Sequence, residues 1–170
     1  IGAAAFNQSL ANWQFGSNLT ELVGLFQSAS HFNGDVTTWN LTHVTTTRSL
    51  FYSAGAFNQN ISTWQRSTPG DTSTMANVTN AAEMFVNAAA FNQNIGNWNV
   101  SSLQDAHSMF GGAQTFNQNL ANWNVVSLTN GANMFDGSAL SVSNYSALLI
   151  GWNALALHSN VSLGAASTGY

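Results

Sequence analysis

The chain contains no cysteine and no lysine, a single proline (Pro69), and only two arginines, Arg48 and Arg66. Without cysteine, no disulfide supports the fold and no thiolate is available for metal binding or catalysis. Charged residues make up 5% of 170, against about 25% in an average soluble protein. With a net charge of −4 and no basic cluster, the chain has no electrostatic footprint for nucleic acid. No run of about 18 apolar residues occurs, so no membrane span is expected in this segment. The opening residues lack the basic-then-apolar pattern of a signal peptide, as a mature or excised segment would. Little charge also means little repulsion between copies, so neutral polar groups, glycans or self-packing must govern their contacts. Hydrophobic residues reach 45%, which is too many for a disordered chain.

What is present is a repeat. "FNQNIGNWNV" at 91–100 returns as "FNQSLANWQF", "FNGDVTTWNL", "FNQNISTWQR" and "FNQNLANWNV". Its Phe falls at Phe6, Phe32, Phe57, Phe91 and Phe116, and its Trp at Trp13, Trp39, Trp64, Trp98 and Trp123. A second Phe follows Leu or Met at Phe26, Phe51, Phe85, Phe110 and Phe135. The unit is 25 residues, with one residue added near 16–18 and nine in the insertion around "QRSTPGDTST". An aliphatic column (Leu10, Val36, Ile61, Ile95, Leu120) and a small column (Ala3, Ala29, Ala54, Ala88, Ala113) keep the same register. The first residues resume just after a preceding "MF" would end, so the chain is expected to be a piece of a longer array.

A period of 25 is too short for a helix pair and suits a leucine-rich-repeat type of coil. The expected fold is an α/β solenoid, a right-handed coil of about five such repeats with short parallel strands and short helical turns. Residues 97–100 read as the strand, with Trp98 and Val100 inward and Asn97 and Asn99 outward. Thr20, Thr45, Thr79 and Thr129 stand where a helix would be capped, so "TNAAEMFVNA" reads as a short helix. Residues 1–140 form the repeats, with an insertion at 65–74, and 141–170 form a C-terminal cap. In that cap Val142, Tyr145, Leu148, Leu149, Trp152 and Leu155 follow helical spacing, Ser141 or Ser143 can cap the helix, and "NVSLGA" reads as a final strand.

Three sets of residues are candidates for function. The Trp column (Trp13, Trp39, Trp64, Trp98, Trp123) is either a ring platform for sugar or a core ladder; sharing a face with Val100 and its equivalents favours the core. The Asn of "FN" (Asn7, Asn33, Asn58, Asn92, Asn117) lies between inward apolar residues and reads as a buried amide ladder. The outward columns Asn12, Thr38, Thr63, Asn97, Asn122 and Gln14, Asn40, Gln65, Asn99, Asn124 read as a neutral face for glycan or for another copy, or as a plain solvated surface. Asn-x-Ser/Thr sequons make Asn18, Asn77, Asn144, Asn160, Asn40, Asn99 and Asn60 glycosylation candidates, while Asn7 should be sheltered by burial. The four His fall in different columns, and no phosphate loop, metal-ligand spacing or nucleophile elbow occurs, so no catalytic or metal residue and no cofactor is assigned.

"FNQNIGNWNVSSLQDAHSMF" resembles the repeat of the BspA-like leucine-rich-repeat surface proteins, approximately F-N-Q-D-[IL]-S-x-W-D-V-S-x-V-T-x-M-x-x-M-F. The tail also looks like the cap that closes such arrays. The chain carries Asn60, Asn94 and Asn119 where that family often has Asp. The resemblance implies an extracellular, cell-surface repeat protein with an adhesive role. The expected function is non-enzymatic: adhesion or self-assembly, with copies of itself or other surface proteins as partners. The alternative is a carbohydrate-binding module that uses the neutral face and the 65–74 loop for polysaccharide.

Overall fold

The computed structural model describes residues 2–62, 64 and 75–166. The insertion at 65–74, with Gln65, and also Thr63 and residues 167–170 lie outside the described residues. Among the described residues the protein is mostly irregular chain folded into repeats around a buried aromatic ladder, with one helix near the C-terminal end, α1 (Val142–Asn153).

Two tight turns build the ladder. In each repeat after the first the alanine N–H closes on the carbonyl of the Phe before it, and the N–H of the Phe after it closes on the alanine carbonyl. In the fourth repeat these bonds are Ala88 N to Phe85 O and Phe91 N to Ala88 O, both 3.0 Å. The turns bring two Phe, six residues apart, face to face. Ring centroids stand 3.8 Å apart for Phe26 and Phe32, 3.7 Å for Phe51 and Phe57, and 4.0 Å for Phe85 and Phe91. Each pair then stacks on the next, with Phe85 5.6 Å from Phe110 and Phe91 6.0 Å from Phe116. Every one of these rings is buried, and each contributes about 1.5–3 kcal/mol by burial alone. The alanine of each turn is buried as well: Ala29, Ala54, Ala88 and Ala113 are at most 2% exposed.

The repeats stack in parallel. Isolated parallel bridges join Glu21 to Thr46, Thr46 to Asn80, Asn80 to Asp105 and Asp105 to Asn130, across the insertion as well as between regular repeats. These bridges do not extend into strands, and no strand occurs among the described residues, at 97–100 or elsewhere. The reason is local. The Asn99 side chain accepts the Ser101 backbone N–H at 3.1 Å, and the Asn94 side chain accepts that of Gly96 at 3.1 Å. The Trp98 N–H closes a turn on Ile95 O at 3.0 Å. Side chains that bond their own backbone two residues on take the donors a strand ladder needs.

The expected helix at "TNAAEMFVNA" is also replaced. Glu83 and Asn87 have φ of 60° and 55°, in the left-handed region, which breaks a helix every fourth residue. Ala81, Glu83, Phe85 and Asn87 instead donate to Asp105, His107, Met109 and Gly111 of the next repeat at 2.8–2.9 Å. Met84, Val86 and Ala88 close turns within their own repeat. Outward and inward donors thus alternate, and the backbone is satisfied without helix or sheet. The Thr column caps nothing: Thr79 Oγ1 donates to Thr45 O at 3.3 Å in the repeat before.

In the cap, Ser141 is the N-cap of α1, its Oγ accepting the Asn144 N–H at 3.3 Å. Leu148 and Trp152 are buried, whereas Val142, Leu149 and Ile150 are exposed, so the inward stripe is narrower than its spacing predicts. The final strand reduces to one bridge, Gly131 to Leu163.

Candidate functional site

The surface corner at "FNQ" is the most regular polar feature. Each Asn side-chain oxygen accepts the backbone N–H of the next repeat's Asn: Asn33 to Asn7 at 2.7 Å, Asn58 to Asn33 at 2.9 Å, Asn92 to Asn58 at 3.0 Å and Asn117 to Asn92 at 2.9 Å. The following Gln clamps the same group. Gln93 Nε2 donates to Asn58 O and Oδ1 at 3.0 and 2.8 Å, and Gln118 does so to Asn92 at 2.9 and 2.7 Å. The ladder is not buried as expected. Asn7, Asn58, Asn92 and Asn117 are exposed and Asn33 is half-buried, so burial does not shelter Asn7. An amide row can sit at the surface because water meets whatever hydrogen-bonding capacity the ladder leaves over. Sequence reasoning singled out the Asn and missed the Gln, although Gln8, Gln59, Gln93 and Gln118 repeat in four of the five units.

The Trp column lies inside. Trp39, Trp64, Trp98 and Trp123 are at most 3% exposed, while Trp13 is 46% exposed, with only Trp39 stacked on it at 6.2 Å. Each inner indole N–H donates to the aliphatic carbonyl of the repeat before. Trp39 bonds Leu10 O at 3.1 Å, Trp64 Val36 O at 3.0 Å, Trp98 Ile61 O at 3.1 Å and Trp123 Ile95 O at 2.9 Å.

The helix α1 repeats this chemistry from a different backbone. Ser141 N donates to Asn117 Oδ1 at 2.9 Å, as the Asn of a further repeat would. Asn144 Nδ2 donates to Asn117 O and Oδ1 at 3.0 and 2.8 Å, in the role of Gln. Trp152 Nε1 donates to Leu120 O at 3.0 Å, in the role of Trp. Beneath α1, Val125, Leu128, Leu149, Trp152, Leu157 and Leu163 help to line an apolar cavity of about 230 Å³.

The outward columns are at the surface, built on turns rather than on a sheet. Asn12, Thr38, Asn97, Asn122, Gln14, Asn40 and Asn124 are exposed and Asn99 is half-buried. Thr38 Oγ1 donates to Ala11 O at 2.6 Å, and the Asn40 and Asn124 oxygens accept the N–H groups of Thr42 and Val126. Among the sequons, Asn18, Asn40, Asn60, Asn77 and Asn160 are exposed. Two amide nitrogens are already engaged, that of Asn77 by Thr42 O at 2.6 Å and that of Asn144 by Asn117.

Between the fourth and fifth repeats the surface opens into a polar cleft of about 400 Å³ lined by Asn94, Gly96, Asn97, Trp98, Asn119 and Asn122. The oxygens of Asn94 and Asn119 are held by the N–H groups of Gly96 and Ala121, at 3.1 and 2.9 Å.

Three charged residues, Arg48, Glu83 and Asp105, gather elsewhere around His107. Glu83 accepts from Ser49 Oγ at 2.8 Å and from Arg48 Nε and Nη2 at 3.4 Å, and its Oε1 lies 3.5 Å from His107 Nε2. His107 Nδ1 lies 3.1 Å from Asp105. The Ser49 hydroxyl, then the Arg48 and His107 charges, hold the Glu83 carboxyl below its ordinary range against the opposing effect of burial. The Thr37 backbone N–H and then its hydroxyl lower Asp35. Repeat alignment puts Arg48 in the column of His107, and Ser49 in that of Glu83, which could have revealed this cluster. Among the described residues no group of three His, Asp or Glu side chains is placed to hold a metal ion. No helix among them is long and apolar enough to cross a membrane.

Residues 1–77 and 70–155 each match the sequence profile of one family, described as "Mycoplasma protein of unknown function, DUF285". No curated protein and no solved structure matches the chain.

Proposed function

The chain belongs to the DUF285 family, and on that premise we propose that it is a non-enzymatic, extracellular repeat module for adhesion or self-assembly at a cell surface. In this reading the repeats are those of a BspA-like leucine-rich-repeat solenoid, right-handed, closed by the 141–170 cap. The parallel bridges between repeats, 25 residues apart except for the 34 across the insertion, support that architecture.

The observation that carries the function is the exposed Asn and Gln ladder. It presents a neutral row in which the Asn Nδ2 groups are left as donors and the Gln Oε1 groups as acceptors, so it can pair with another such row without charge complementarity. The scarcity of charge leaves little repulsion to prevent this. The non-enzymatic reading draws on His107, whose two ring nitrogens both face carboxylates, so neither is turned to Ser49 as a base.

Sedimentation across a concentration series, with electron microscopy, tests the proposal. Self-association should rise with concentration and change little with salt, since uncharged groups make the contacts. A protein that stays monomeric and monodisperse at high concentration, and does not bind cell surfaces, overturns it. A second reading, carbohydrate binding, is favoured by the cleft between the fourth and fifth repeats.

A further inference from the structure

We infer that the cleft lined by Asn94, Asn97, Asn119 and Asn122 is a binding site for a neutral sugar, about one disaccharide in size. The inference rests on the carbohydrate reading and narrows it from a whole face to one place. A volume of about 400 Å³ lies within the usual range for small-molecule sites.

The chemistry is that of four carboxamides and no charge. Because the Asn94 and Asn119 oxygens are held by their own backbone, their NH₂ groups are left as oriented donors. Asn97 and Asn122 are exposed and make no hydrogen bond to another described residue, so both ends of each amide are free. Fixed donors beside free donor–acceptor groups match hydroxyls, which both donate and accept. An acidic sugar gains nothing here, since the lining holds no cation. Trp98 is 3% exposed and its N–H is committed to Ile61 O, so it forms a wall and offers no stacking platform. Recognition is therefore by hydrogen bonds, and binding is weak.

The repeat explains why the site occurs here. At the Gly96 position the other units carry Ala11, Thr37, Ser62 and Ala121. A Cβ at Gly96 would lie 2.6 Å from the Asn119 carbonyl oxygen, so the fifth repeat closes on bare backbone at this point. None of the four amides lies in an Asn-x-Ser/Thr sequon, so N-glycans would not occupy them.

The test is an NMR titration of ¹⁵N-labelled protein with cellobiose, maltose and diacetylchitobiose, and with digalacturonate as the charged contrast. At least one neutral disaccharide should shift the four side-chain amide signals saturably, and digalacturonate should not. The double variant N97A/N122A should bind at least tenfold more weakly, on the order of one net hydrogen bond per amide. Its near-UV Trp spectrum should be unchanged, because neither side chain bonds within the described fold. N12A alters the same column at the first repeat and should bind as the parent does. Equal loss in N12A, or full binding by N97A/N122A, overturns the cleft and leaves a distributed sugar-binding face. No shift with any neutral sugar overturns the carbohydrate reading itself, and the cleft with it.

Discussion

Trp98 and Trp152 make the same bond from unlike backbones. Trp98 sits on a turn in the middle of the array and Trp152 near the end of helix α1, yet each indole donates to an aliphatic carbonyl, Ile61 or Leu120, at 3.1 and 3.0 Å. Ser141 and Asn144 likewise do on a helix what Asn and Gln do on a corner. The cap is therefore complementary to a coil by its donors and rings, not by its chain path.

The largest test removes the rings. Trp98→Ala and Trp152→Ala should each cost about 3–5 kcal/mol in denaturant unfolding, as buried aromatic deletions do. A Trp152→Ala cost well below that of Trp98→Ala would show that the cap only leans on the coil. Next, Asn117→Ala removes an acceptor shared by Ser141 and Asn144, and Asn92→Ala removes the matching one within the array. Both should cost about 1–2 kcal/mol, and hydrogen exchange should place the loss at α1 for the first and at the fifth repeat for the second. Smaller still, Ser141→Ala should cost about 1 kcal/mol through the lost cap, with Ser143→Ala near neutral.

Acid gives the smallest effect and probes a part of the coil that the cap does not copy. The Glu83 pKa lies below its ordinary value in the folded state, so the stability it contributes is present above that value, 4.5, and is lost as pH falls through the lowered one. The gap in unfolding midpoint between the parent and Glu83→Gln should therefore close as pH drops below 4.5. A gap that stays constant with pH would assign the contribution of Glu83 to packing.

What could be read from sequence follows from what repeats. Ten of eleven Phe fall in two columns, which fixed the register, the aromatic core and the tail as something different. Local conformation was not legible in the same way. A spacing such as Ile95-x-x-Trp98-x-Val100 records only which residues face inward, and turns satisfy it as well as a strand does. The deciding factors were the Asx bonds of Asn94 and Asn99 and the left-handed φ at Glu83 and Asn87, set by short-range chemistry that periodicity does not see. The cleft was half legible. Asn97 and Asn122 stood out as outward, but the cleft lies where the fifth repeat closes on Gly96, a departure from its column rather than a member of it.

The hydrogen bonds of α1 to the fifth repeat fall on Asn117 and Leu120, residues with a counterpart in every unit. The helix can therefore seat on any unit. The segment behind it cannot: Leu163 bridges Gly131 and the Ala166 N–H bonds Asp136 Oδ1 at 2.7 Å, where the other units carry Leu22, Thr47, Ala81 and Ala106, and Gln27, Tyr52, Val86 and Gly111. Copy number is then an adjustable ruler upstream of the last unit, which must travel with its closing piece.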